Sequence, residues 1–127
     1  FIEDNQSQEN LQEFIFPLAK SFAKLQQATA TIAQKGLKDP NEAAAASSDY
    51  LRMFALVAMG YMWAQMAKIS TEKLAEGHLE RSPFYTGKIK TARFFFEKML
   101  PETEGRFRMI MAGASPLMTM EKEEFAA

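Results

Sequence analysis

The residues that could do chemistry in this 127-residue chain are few: one histidine, His78, no cysteine, and carboxylates and hydroxyls scattered along the sequence. A nucleophilic relay would have to combine Ser82, His78 and Asp49, and nothing in their spacing sets them up as one. His78 stands beside Gly77 and reads as an exposed turn histidine. Bundles that hold paired metals use Glu-x-x-His on facing helices, which this sequence lacks. The glycines at 36, 60, 77, 87, 105 and 113 stand singly, so no glycine-rich phosphate loop is present. The sequence therefore points to no catalytic residue, no metal site and no cofactor site on this chain.

Two charged features remain. Lys88, Lys90 and Arg93 lie near Tyr85 and could meet a phosphate, or simply form a solvated helix face. Asp49 and Arg52 flank a long apolar run, and Arg93 sits within Thr91-Ala92-Arg93-Phe94-Phe95-Phe96. An Asp49–Arg93 ion pair drawn into the interior is the expectation, against the alternative that each side chain reaches water along its stem. A buried pair of that kind should cost about 3 to 5 kcal/mol when one member is removed.

The elements that must carry these residues are helical. From Leu11 the apolar residues Phe14, Ile15, Leu18, Phe22, Leu25, Thr29 and Ile32 follow steps of three and four. Pro17 predicts a kink there or a later start, and Lys35-Gly36 reads as a basic last turn with a glycine cap. Asp39-Pro40-Asn41-Glu42 is a start signal, with Asp39 as N-cap, Pro40 in the first turn and Glu42 reaching back to free amides. The second helix should run to about Lys73 or Leu74, with Gly77 ending it. Ser82-Pro83 repeats the cap-then-proline pattern. Ile89, Ala92, Phe96, Met99, Thr103, Phe107, Ile110 and Ala114 then keep helical spacing across Pro101, which predicts either a kinked third helix or a break that yields a fourth. A short last turn is expected over Leu117 to Met120. No stretch alternates with period two for long enough to be a strand. The expected fold is all-α, an antiparallel up-down bundle of three long helices, the third kinked or split at Pro101.

Composition agrees with one folded domain over residues 1–127. Hydrophobic residues make up 47% and charged residues 24%, and the excess is in phenylalanine (11) and methionine (9), which suit helix contacts better than sheet packing. Fifteen basic and sixteen acidic residues are mixed along the chain for a net charge of -1, which gives no footprint for nucleic acid or anionic lipid. The absence of cysteine excludes disulfides and thiol chemistry and is compatible with the cytoplasm. The first residue is Phe1, and the opening resembles no signal peptide, so the chain is expected to be a piece of a longer polypeptide.

One element is out of balance with a small bundle. Between Arg52 and Lys68 the only conventional polar residue is Gln65. The run is too short for a membrane span, which needs about 18 or more apolar residues. It therefore reads as a central helix, yet two neighbours cannot cover a whole third helix, so its cover must come partly from outside the chain.

The segments Asp49-Tyr50-Leu51-Arg52-Met53-Phe54, Gly60-Tyr61-Met62-Trp63, Thr91-Ala92-Arg93-Phe94-Phe95-Phe96, Met99-Leu100-Pro101-Glu102-Thr103 and Ala112-Gly113-Ala114 resemble the extra C-terminal helical domain of bacterial acyl-CoA dehydrogenases. The similarity points to the branch that includes 3-methylmercaptopropionyl-CoA dehydrogenase. Ala55 and Gly87 depart from it, standing where glycine and alanine are expected. The resemblance implies a parent oxidoreductase of fatty acid metabolism that holds FAD and converts acyl-CoA to 2-enoyl-CoA on a dehydrogenase core. This chain would then be a non-catalytic accessory domain packed on that core or on a neighbouring subunit. No position matches the family's catalytic glutamate or its flavin contacts. Such a domain could also narrow access to the CoA end of the substrate, where Lys88, Lys90 and Arg93 would be the residues to test. The alternative is an independent helical module that binds a partner protein through its apolar, methionine-rich surface.

Overall fold

The computed structural model describes residues 1–77 and 79–125, which fold mostly into helices with no strand among them. The elements are α1 (Ile2–Asn5), α2 (Gln12–Lys38), α3 (Pro40–Ala75), α4 (Ser82–Phe94), α5 (Glu102–Met111) and α6 (Ser115–Met118). Among the described residues no helix is long and apolar enough to cross a membrane. His78, read from sequence as a turn histidine, lies outside the described residues.

Local chemistry explains most of the boundaries. Asp39 is extended and its side chain accepts from the Asn41 amide at 3.0 Å, so it ends α2 and caps α3 as the single residue between them. Two parts of the expected signature do something else. Helix α2 runs through Gly36 to Lys38. The glycine serves close approach there, because a Cβ on it would stand 3.2 Å from that of Ala43. Glu42 does not reach back to its own helix start; it accepts from the amide of Ala114 at 3.1 Å and ties the end of α5 to the start of α3. Gly113, beside that contact, has φ +75°, which the turn out of α5 requires. Gly77, at φ +83°, ends α3 as the sequence indicated. Ser82 is the first residue of α4 and not its cap, with Pro83 still in the first turn, where a missing amide is harmless.

The prolines behave differently from one another. Pro17 lies inside α2, which begins five residues earlier and continues past it. At Pro101 the third rod changes its ladder: α4 passes into a π-helical turn over Phe95–Met99, closed by the Leu100 amide donating to the Phe95 carbonyl at 2.9 Å. A proline ring clashes with the carbonyl four residues back and offers it no donor, and the wider turn adjusts the ladder just before that point. The Leu100 carbonyl is then satisfied by both the amide (2.9 Å) and the hydroxyl (2.8 Å) of buried Thr103. The expected choice between kink and break resolves into two α-helices joined through a π turn.

Pairings fix the register. Across α2 and α3, Gly36 meets Ala43, the Thr29 and Tyr50 hydroxyls lie 2.7 Å apart, and Leu18 faces Gly60, so the two helices run in opposite senses. Across α3 and the third rod, Trp63 meets Lys88, Gly60 meets Phe95 and Leu100, Arg52 meets Glu102, and Asp49 meets Arg106, again in opposite order. Between α2 and the third rod the order is the same: Glu13 with Arg93, Phe14 with Phe96, Lys20 with Glu104 and Lys24 over Phe107. Phe14, Ile15, Leu18, Met53, Leu56, Phe95 and Leu100 meet in the core. The opening segment, which shows no helical period, is folded back by its own amides: buried Asn5 donates to the Phe1 carbonyl at 2.7 Å, and Gln12 donates to the Gln6 and Gln8 carbonyls at 2.7 Å.

Candidate docking face

The charged groups singled out from sequence are placed apart. Arg93 gives its guanidinium to Glu13 of α2 in three hydrogen bonds of 2.9 to 3.1 Å. Asp49 accepts from Arg106 of α5 at 2.8 Å. The expected Asp49–Arg93 pair is therefore replaced by two others. The reason is register: the opposite order of α3 and the third rod sets Asp49 beside α5, while Arg93 lies further back and faces α2. The Arg93 and Glu13 side chains remain 48% and 41% exposed, whereas the Asp49–Arg106 pair is partly buried. Arg93→Ala is accordingly expected to cost no more than about 1 kcal/mol, as for a surface pair, which a urea melt of the variant would show.

Asp49 belongs to a larger network that the sequence did not suggest. Glu102 accepts from Arg52 at 2.6 Å and from Arg106 at 3.4 Å, so four charges on α3 and α5 alternate in sign. The Arg52 hydrogen bond is the main cause that holds the Glu102 carboxyl below its ordinary value of 4.5. Such a group stabilises the fold above its unfolded pKa, and that contribution disappears as the pH falls through the lower folded value. The wild-type chain should therefore lose stability on acidification below pH 4.5 more steeply than Glu102→Gln, which lacks this titration. Identical acid limbs for the two proteins would exclude the linkage.

Lys88, Lys90 and Arg93 do not make one phosphate grip. At about 100° per residue, Lys88 and Lys90 point to opposite sides of α4. The Lys88 ammonium stands 5.4 Å from the Phe84 ring and 5.8 Å from that of Trp63, Arg93 is held by Glu13, and Lys90 is exposed. What the fold does assemble, unforeseen from sequence, is a cation–aromatic ledge: Arg81 lies 4.9 Å over Phe84 and 5.8 Å from Tyr85, beside Lys88 and Trp63. These rings lend their faces to neighbouring cations at the surface.

The larger feature is a mostly apolar face. The apolar run of α3 buries Met53, Leu56, Val57, Gly60 and Ala64 on one side. Its other side leaves Leu51 70%, Phe54 51% and Met62 58% exposed, with Ala55, Ala58 and Tyr61 between them. Helix α2 continues this surface. Lys20 and Lys24 turn toward α5, where they meet Glu104 and Phe107. The outward positions Ala19, Phe22, Ala23, Gln26, Ala30 and Ala33 carry no charge. Between the two helices runs an open groove of about 790 Å³, floored by Leu18, Leu25 and Val57, walled by Phe22, Phe54 and Tyr61, and closed at one end by Phe1 and Ile2, where Glu3 and Asp4 of α1 bring the charge on its lining. In a chain with 24% charged residues, an exposed two-helix surface from which charge has been withdrawn has the composition of an interface core. The excess apolarity of α3 was legible in the sequence. The α2 half was not, although the clustering of Lys20, Lys24 and Lys35 on one side of the helix was a usable signal.

The groove's polar lining is Glu3, Asp4, Gln6 and Gln26. Among the described residues no group of three or more histidines and carboxylates could bind a metal ion. No curated protein sequence matches the chain. The family model described as acetyl-CoA dehydrogenase C-terminal like matches residues 1–121, nearly the whole chain, and the protein belongs to that family, a helical accessory domain of the acyl-CoA dehydrogenases.

Proposed function

We propose that this chain is the non-catalytic accessory domain of an FAD-dependent, cytoplasmic bacterial acyl-CoA dehydrogenase of the branch that includes 3-methylmercaptopropionyl-CoA dehydrogenase. Its work is to close the mostly apolar α2–α3 face against another apolar surface of the enzyme assembly, in core packing or oligomer assembly, while oxidation of acyl-CoA to 2-enoyl-CoA proceeds on the dehydrogenase core. The architecture we infer is an up-down bundle of three rods, the third divided at Pro101 to give four helices.

The observation that carries this reading is the mostly apolar face itself. Half-exposed Leu51, Phe54 and Met62 on a rigid helix are surface that water disfavours, and burial would recover about 25 cal/mol for each Å² covered. Family membership supports a dehydrogenase core as the partner that would supply the cover. Substrate-access shaping is the lesser part of the proposal. Lys88 and Lys90 are the residues through which the domain would approach the CoA end, whereas Arg93 would first have to release Glu13.

Two measurements test the reading. The isolated chain, given FAD and an acyl-CoA, should show no oxidation, and turnover would overturn it. The gene upstream of Phe1 should encode the dehydrogenase core; a free-standing reading frame would favour the independent binding module instead.

A further inference from the structure

We propose that Met59, Met62 and Met66 of α3 form a three-sulfur site for a soft monovalent cation, copper(I) in particular. The inference stands on this stripe of thioethers and does not need the docking reading above.

Spacing brings the three together. Met62 follows Met59 by three residues and precedes Met66 by four, so both flank it on the helix surface with Cβ atoms about 5 to 6 Å apart. At 3.6 residues per turn the three positions fall within an arc of about 60°. A methionine side chain is unbranched and turns about three bonds, so sulfurs from the turns before and after can converge on that of Met62. The stripe is not core. Met59 is 43% and Met62 58% exposed, and Met66 is partly buried, although methionine is among the residue types most often found inside. It lies on the side of α3 toward the third rod, where Trp63 meets Lys88, and not on the side of Phe54 and Tyr61 that walls the groove.

The donors select the ion. Thioether sulfur is neutral and soft, a ligand for copper(I), whereas magnesium and calcium take oxygen. The chain has no cysteine, so no thiolate competes for a soft ion. Charge favours one positive unit over two. Between Arg52 and Lys68 there is no carboxylate to balance an ion, and the Lys88 ammonium, 5.8 Å from the Trp63 ring, would repel a divalent ion twice as strongly. Trp63 stands four residues after Met59 and three before Met66, which puts its ring beside the stripe, and an indole face favours a cation. It is the chain's single tryptophan and therefore reports on the site.

The test uses the chain with its methionine methyl groups labelled with carbon-13. Silver(I), the redox-inert stand-in for copper(I), is titrated in chloride-free buffer. The methyl signals of Met59, Met62 and Met66 should shift together and saturate at one equivalent, with quenching of Trp63 fluorescence. Copper(I) kept reduced under nitrogen should move the same three signals, and zinc should move none. Met62→Leu keeps the volume and the apolar surface but removes the central sulfur, so it should weaken binding about tenfold or more. Met109→Leu, on α5 and 56% exposed, should leave it unchanged. Shifts shared equally by Met109, Met118 and Met120 without saturation at one equivalent would overturn the proposal, as would no shift at all or full affinity in Met62→Leu.

Discussion

Phe95→Ala is expected to lower the free energy of unfolding by about 3 to 5 kcal/mol, a large part of what a domain of this size has. The side chain is 2% exposed, meets Phe96 edge-on at 5.8 Å between ring centres, and lies against the Gly60 stretch of α3. Its loss would remove aromatic surface from the point where α2, α3 and the third rod converge, and the helices around it are too constrained to collapse into the space. The control is one residue away. Phe94 is 57% exposed, so Phe94→Ala should stay within about 0.5 kcal/mol of the parent. Urea denaturation of the two variants reads the contrast directly. Similar midpoints would mean that the rod is rotated relative to this description, since only rotation decides which phenylalanine is inside.

Gly60 is expected to give opposite signs for two substitutions. A Cβ there would lie 3.4 Å from a Leu100 methyl, 3.5 Å from a Leu18 methyl and 3.5 Å from the Phe95 ring, which is ordinary contact distance. Gly60→Ala should therefore fit, and by removing backbone freedom from the middle of α3 it should stabilise the chain by up to about 1 kcal/mol. Gly60→Leu asks the same three neighbours to admit a branched side chain with nowhere to go. Overpacking of this kind costs about 1 to 3 kcal/mol, and here all three rods meet at the site, so the upper end is expected. Thermal melts of the pair provide the check. A destabilised alanine variant would show that the helices approach more closely at Gly60 than these distances allow.

The two experiments bear on the same feature as the proposed docking face. Residues on the inner side of α3 should govern folding, and residues on its outer side should govern association with little effect on the fold. Leu56 and Met62 are both apolar and lie on one helix, yet they are 2% and 58% exposed. Composition cannot separate them.

The sequence by itself determined the helices and most of their ends. Asp39-Pro40 and Gly77 act within a few residues, through a side chain that accepts an amide and a backbone that tolerates positive φ, so their effect does not wait for the rest of the chain. It also showed that α3 is too apolar for its own bundle, because periodicity without a polar face is a property of the sequence alone. Tertiary structure decided the partners. Arg93 took Glu13, Asp49 took Arg106, and Glu42 took the Ala114 amide, each across at least 57 residues of chain, because register between rods sets which long side chains can reach one another. It likewise decided where the charges of α2 go. Lys20 and Lys24 meet Glu104 and Phe107 only because α5 lies on that side, and that placement leaves the opposite side of α2 to join α3 in one mostly apolar face.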